Sequence, residues 1–321
     1  MIDFSPGAVE PRWKWLWKRC LWKNGAVLRL LSTVVFYLEL AMVKKISPRV
    51  IPIQILIVQA IATGFLLIIK ESAFHVKSTD IFGSRENMLM LFAMGLLTFL
   101  DNAASWVAVA RMPIGDASAI LFSTPAITST VALFLGMEKW SFPTPIGIIV
   151  SIIGVFLVAR PPMLFFQSST SLWTSNRVVG MIFAFLGMFA SSGIFLLRKL
   201  SDRERVAVIL IWQNGLALLF SLLFLFLGIP DKPSYTFTWL DIVMTVLVAL
   251  IGSFAWMLVY QALKFSTSSL VSVLGAMILV WSYAGDVVIF GDPVSIVSIV
   301  GAACIVAASI TISTTVTRIA P

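Results

Sequence analysis

One histidine, His75, and two cysteines, Cys20 and Cys304, are all that 321 residues offer for imidazole or thiol chemistry. There is no HExxH, no Cys/His cluster and no GxxxxGK[ST] loop, so zinc hydrolysis and ATP-driven work lack their usual apparatus. The cysteines lie in a basic tail and in a late apolar run without metal-ligand spacing, so neither a disulfide nor a metal site is expected. Charge is scarce too. Asp, Glu, Lys and Arg make up 12% of the chain, against about 25% in a soluble domain. That deficit excludes the solvated surface of a water-soluble fold. No loop is long enough to be a separate soluble domain. The reading is that of a non-enzyme without a cofactor.

Apolar residues are abundant, at 59% of the chain with a mean hydropathy of +1.00. At roughly 20 apolar residues per crossing, the pattern predicts an all-α polytopic membrane protein with ten spans. They fall near 26–43, 50–69, 88–110, 116–136, 144–160, 178–198, 206–228, 239–262, 267–290 and 294–315. Ahead of them, residues 1–25 carry RWKWLWKRCLWK, in which Arg12, Lys14, Lys18, Arg19 and Lys23 alternate with Trp13, Trp15, Trp17 and Trp22. Tryptophan favours the headgroup layer and Lys/Arg the cytosolic side, so this tail reads as a membrane anchor. RNA or calmodulin binding is the alternative for such a segment. The net charge of +8 is read the same way, toward anionic lipid and not nucleic acid. The tail lacks an apolar core, so no cleavable signal peptide is expected. Counted loop by loop, 16 of the 23 Lys and Arg fall on the side of the N-terminus and 7 on the other, which predicts both termini in the cytosol.

The chain also repeats itself. KKIS at Lys44–Ser47 matches RKLS at Arg198–Ser201 with an offset of 154. Gln59 and Gln213, Trp106 and Tyr260, and Glu138 and Asp292 share that offset. Beyond them SIIG at Ser151–Gly154 matches SIVG at Ser298–Gly301 at 147. Matches in one order over five spans indicate an internal duplication, with halves at 26–162 and 178–316 and a linker at 163–177. Five is odd, so the second copy enters the bilayer upside down. Inverted repeats let a fold open to either side around a midplane site, which is the physical basis for expecting a transporter.

Ten spans in paired five-helix repeats, the GMEKWS turn at Gly136–Ser141 and the GDPVS turn at Gly291–Ser295 resemble the drug/metabolite transporter superfamily and its EamA domains. Pro125 stands where that family commonly has a mid-span proline, and Met277 departs from it in the second half. GDASAILFSTPAITS, GMEKWS and VARPPMLFF (Val158–Phe166) are more similar to solute carrier family 35, subgroup G. The resemblance implies organic-anion (carboxylate) export and, separately, a regulatory partner role near calcium-entry machinery. It also implies a homodimer built on Gly-bearing helices, for which Gly147, Gly154 and Gly301 are candidates; contacts within the protomer are the other use of those glycines.

An ionisable group inside a span costs about 2.5–3.5 kcal/mol on insertion scales, so each needs a reason. Glu39, Asp101 and Asp286 are the candidates for proton coupling. For Glu39 an ion pair with Lys44 or Lys45 one turn away is the competing reading, and for Asp286 an interfacial pairing near its helix end. Arg111 and Lys264 end spans 3 and 8 and would sit at opposite mouths of a cavity, drawing in an anion; snorkelling to headgroups is the alternative. Asn102, Gln213 and Asn214 offer amides that either touch solute or bridge helices. Trp106, Trp256 and Tyr260 are candidate cavity aromatics, with Trp281 and Tyr283 behind them. Ser123 and Ser268 are candidate hydroxyl donors. The expected function is a secondary transporter of a small, anionic organic solute. A nucleotide-sugar carrier and a non-transporting membrane partner are the alternatives.

Overall fold

The structure, a computed structural model, describes residues 24–73, 83–124, 126–127, 143–159, 174–193, 200, 203–232, 237–266, 271, 274–292 and 294–319. The described residues form no strand. They form ten α-helices: α1 (Gly25–Ile46), α2 (Pro52–Ala73), α3 (Met88–Arg111), α4 (Ile114–Leu121), α5 (Pro143–Ala159), α6 (Ser175–Ser191), α7 (Val206–Leu227), α8 (Trp239–Phe265), α9 (Ile278–Gly285) and α10 (Ile296–Ile319). A π-helical turn, Asp286–Phe290, extends α9. Most of the expected tail and linker lies outside the described residues.

Local signals set several ends. The Asn24 side chain accepts from the Ala26 N–H and caps α1, and a Thr238/Asp241 capping box opens α8. Gly228, at φ 67°, closes α7 in the left-handed conformation that a side chain would resist. Seven helices lie within a few residues of the spans read from hydropathy. Spans 4, 6 and 9 do not run through as continuous helices. α4 stops at Leu121 and α6 at Ser191, and α9 follows a turn at 276–277. At two of these breaks hydroxyls back-bond to the chain: Ser123 to Ile120 O (2.6 Å), Thr124 to Leu121 O (2.6 Å) and Ser192 to Phe189 O (2.6 Å). Such bonds compete with the helical ladder, a conflict that mean hydropathy does not register.

The exterior is apolar and the interior holds the polar groups. Phe226 is 89% exposed and Val288 82%, whereas Glu39, Gln59, Asp116, Gln213 and Asp286 are buried. A water-soluble monomer rarely exposes contiguous apolar surface on this scale. Among the described residues four helices, α1, α3 with its leading turn, α7 and α8, are long and apolar enough to cross a membrane. The two matched segments interdigitate. α8 packs on α1 and α2, and α6 and α7 pack on α3. α5 lies along α10, crossing where a Cβ on Gly154 would come 2.7 Å from the Gly301 carbonyl oxygen, and the reverse.

Helix ends gather on two faces. On the near face, where α1 begins, Gly25 meets Ala262 and Ser266 at the end of α8. There the Glu204 carboxylate accepts from Asn87 Nδ2 (2.7 Å), Ser84 Oγ (2.7 Å) and the Ser84 N–H (3.1 Å). Desolvation pushes the Glu204 carboxyl up, but these donors and Arg205 outweigh it and hold it below its ordinary pKa. On the far face Lys44, at the end of α1, pairs with Asp292 (2.6 Å) and Asp286 (3.5 Å). Beside it stand Arg49–Asp241 (3.2 Å), Arg111–Asp231 (2.6 Å) and Arg177–Asp116 (3.1 Å).

Candidate functional site

Between the two matched segments lies a cavity of about 170 Å³, bordered by α1, α3 and α4 of the first and α6, α8 and α9 of the second. Along α1 its lining runs from Arg29, one turn inside the near face, through Phe36 to Glu39 and Leu40. Along α3 it runs from Met94 to Trp106. The far-face turns beyond Leu40 and Trp106 contribute nothing. The breaks in α4 and α6 border it through Phe122, Thr124, Ser191 and Gly193. Discontinuous helices beside a midplane cavity are the usual way a membrane protein presents backbone dipoles to a passing solute.

Five candidates line this cavity: Glu39, Asp101, Asn102, Trp106 and Trp256. Asp101 Oδ1 accepts from Ser191 Oγ (2.6 Å) and, more loosely, from Ser105 Oγ (3.4 Å). Glu39 Oε1 accepts from Gln59 Nε2 at 3.1 Å. The competing pairing of Glu39 with Lys44 or Lys45 is not found among the described residues; the Lys44 ammonium turns to the far-face carboxylates. Among the described residues neither Glu39 nor Asp101 has a cationic partner. A carboxylate so placed in a membrane must bind a proton or meet a cation from outside.

Gln213, Asn214 and Tyr260 are drawn away from the cavity. Gln213 donates to Thr98 Oγ1 (2.9 Å) and accepts from the Tyr260 hydroxyl, tying α7 to α3 and α8. Tyr260 is 1% exposed, with its ring stacked 6.0 Å from that of Trp256. Gln213 and Asn214 border a separate chamber of about 20 Å³, shared with Gln59, Thr63, Asn102 and Ser253, where Thr63 and Ser253 bond to one another. Asn214 donates to Leu210 O of its own helix (2.8 Å). Ser123 is buried and donates to Ile120 O and Met188 Sδ, leaving its neighbours Phe122 and Thr124 at the cavity.

Arg111 is held at the far face by Asp231 through one Nη2, which lies 2.6 Å from both carboxylate oxygens. Asp286 serves α4: its carboxylate accepts from the Ile114 (3.0 Å) and Gly115 (2.6 Å) N–H groups and is fully buried. Tyr283 donates to Asp116 on α4 (3.3 Å), and Trp281 is 40% exposed on the exterior. The Lys264 side chain and Ser268 lie outside the described residues, as do Pro125 and the 136–141 turn.

Sequence reasoning missed Arg29. It fell among the 16 basic residues counted on the side of the N-terminus, yet it is 8% exposed and lines the cavity. The available signal was its position inside the first apolar run, five residues past the Asn24 cap. Ser191 and Thr98 were missed as well, because isolated hydroxyls are common in membrane helices.

The model of the EamA-like transporter family matches residues 23–160 and again 178–314. Solute carrier family 35 member G1 of Homo sapiens is 24% identical over 290 residues, covering 89% of this chain and 78% of that protein. The pseudopaline exporter CntI of Pseudomonas aeruginosa strain UCBPP-PA14 is 26% identical over 224 residues, 70% of this chain and 69% of that one. One protein crystal structure, 15% identical, covers 92% of this chain and 99% of its own with a TM-score of 0.60, a likeness of fold.

Proposed function

Because the chain belongs to the EamA-like transporter family, we propose that it works as a secondary carrier that moves a small organic anion, such as a carboxylate, by alternating access. Membership, with relatives named as a solute carrier and an exporter, supports an integral membrane transporter of small solutes. In the finer reading it crosses the membrane ten times as two inverted five-helix repeats, 26–162 and 178–316, with both termini and the near face cytosolic. The helix ends support the inversion. α1 ends at the far face whereas its counterpart α6 begins there, and α3 ends beside Asp231 whereas α8 begins beside Arg49.

The observation that carries the proposal is the cavity itself. It is bordered by both halves and ends short of a far face where, among the described residues, four ion-paired clusters tie the helix ends together. That is the arrangement of a carrier closed at one face. Its volume of about 170 Å³ is below the roughly 300–1,000 Å³ typical for drug-sized ligands, which favours a small solute over a nucleotide sugar. Asp101 and Glu39, which face the cavity without an ion-pair partner among the described residues, are the groups that take up and release protons as access alternates. Counterflow in proteoliposomes tests the proposal. Internal unlabelled succinate or citrate should drive uptake of the labelled compound above protein-free vesicles; no counterflow with either would refute the carboxylate reading.

A further inference from the structure

Arg29 is a charged side chain one turn inside a membrane helix, 8% exposed, with no carboxylate at ion-pair distance among the described residues. A buried charge left that way is costly unless something neutralises it. Arg29 Nε donates to the Val271 carbonyl across the halves (2.9 Å), and Nη1 donates to Ser32 Oγ (3.1 Å). The Ser32 hydroxyl donates to the Arg29 carbonyl (2.7 Å), so it can only accept from the guanidinium. Of five N–H donors, these bonds use two and leave one N–H on Nη1 and both on Nη2. Two parallel N–H groups on one edge of a guanidinium match the two oxygens of a carboxylate or phosphate.

The surroundings are shaped to admit this head group. A Cβ on Gly275 would overlap Nη2, so only glycine at 275 leaves the guanidinium its place. Glu39 lies ten residues on, about 15 Å along α1, so the cation does not collapse onto it. We infer that Arg29 is the residue that selects the solute, its terminal edge taking a carboxylate group in a bidentate grip inside the near-face end of the cavity. This rests on the carrier reading, and it moves recognition from the expected mouth charges, Arg111 and Lys264, to a residue within the first span.

A binding assay separates the two readings. The full chain, purified in neutral detergent, is titrated with succinate, with its uncharged isostere succinamide and with inorganic phosphate, and the thermal transition is followed. Succinate should raise the transition and succinamide should not. Arg29→Gln should weaken the succinate response at least tenfold, with Arg29→Lys between, since an ammonium keeps the charge but loses the fork. Gly275→Ala should weaken it with the arginine intact, which covers the case of a poorly folding Arg29→Gln. Equal responses to succinate and succinamide, or a response unchanged in Arg29→Lys and Gly275→Ala, would overturn the inference. So would a response to inorganic phosphate, or to phosphatidylglycerol added as a fourth titrant, with none to succinate, which would make the site one for free phosphate or a headgroup. Succinate counterflow that survives with an Arg29-independent response leaves the carrier standing without this site. Arg29-dependent binding without counterflow does the reverse.

Discussion

Asp286→Asn should loosen the far face by an amount the structure allows one to work out. The wild-type carboxylate is fully buried and accepts from two backbone N–H groups at the start of α4, at 3.0 and 2.6 Å, with the Lys44 ammonium 3.5 Å away. An asparagine of the same shape keeps one acceptor oxygen and turns an NH₂ toward the second N–H. A hydrogen bond to a charged group contributes about 1.5–3 kcal/mol, so one such bond is lost. If the contact exists only while the far face is closed, the closed-to-open equilibrium moves by the same free energy, roughly 10- to 100-fold. Ser118 reports the shift. It is completely buried in the seam and bonds to Ser282 at 3.0 Å, so a cysteine at 118 is shielded while α4 and α9 are together. In sealed proteoliposomes sorted for orientation, a membrane-impermeant maleimide added from the far side should label Ser118→Cys at least tenfold faster with Asp286→Asn present. Labelling at the same rate, with an unchanged thermal transition, would refute the idea that this carboxylate holds the far face shut.

Gly154→Ala should cost roughly 1–3 kcal/mol, the usual range for overpacking, because the new Cβ would stand 2.7 Å from a backbone oxygen of α10 that cannot move alone; thermal unfolding in detergent measures it. Tyr260→Phe should cost about 1–3 kcal/mol by leaving the Gln213 oxygen without its donor, while succinate affinity stays as it was. Glu204 gives a pH signature. Its folded pKa is depressed, so its contribution is present above the unfolded value near about 4.3 and is lost as pH falls through the folded value. Acid titration of the melting temperature should show this loss, and Glu204→Gln should remove it.

Much of the fold was legible because hydropathy is a local, additive property. Seven of the spans needed nothing beyond runs of apolar residues and their caps, and the duplication followed from offsets such as Gln59 to Gln213. The breaks in spans 4, 6 and 9 were not legible, since Ser123 and Ser192 break a helix only when their hydroxyls turn back on the chain. The site was legible in part. Asp101, Asn102, Trp106 and Trp256 were singled out as polar or aromatic groups in costly positions, and they share one cavity. Gln213 and Tyr260 have the same composition-level appeal but are spent on each other.

From the amino-acid order alone came the solvent this chain is built for, its helical class, its doubling and the small set of ionisable groups that needed a reason to be inside a membrane. Each follows from neighbours a few residues apart, where free energies of transfer add along the chain. Which ionisable group borders the cavity was decided by tertiary structure. Arg29 faces the cavity because Val271, 242 residues away, accepts its Nε–H and because a glycine stands at 275. Asp286 is withdrawn because the start of α4, over 170 residues before it, needs an acceptor for its free N–H groups. Pairings over such separations depend on how helices cross, and no local pattern encodes that.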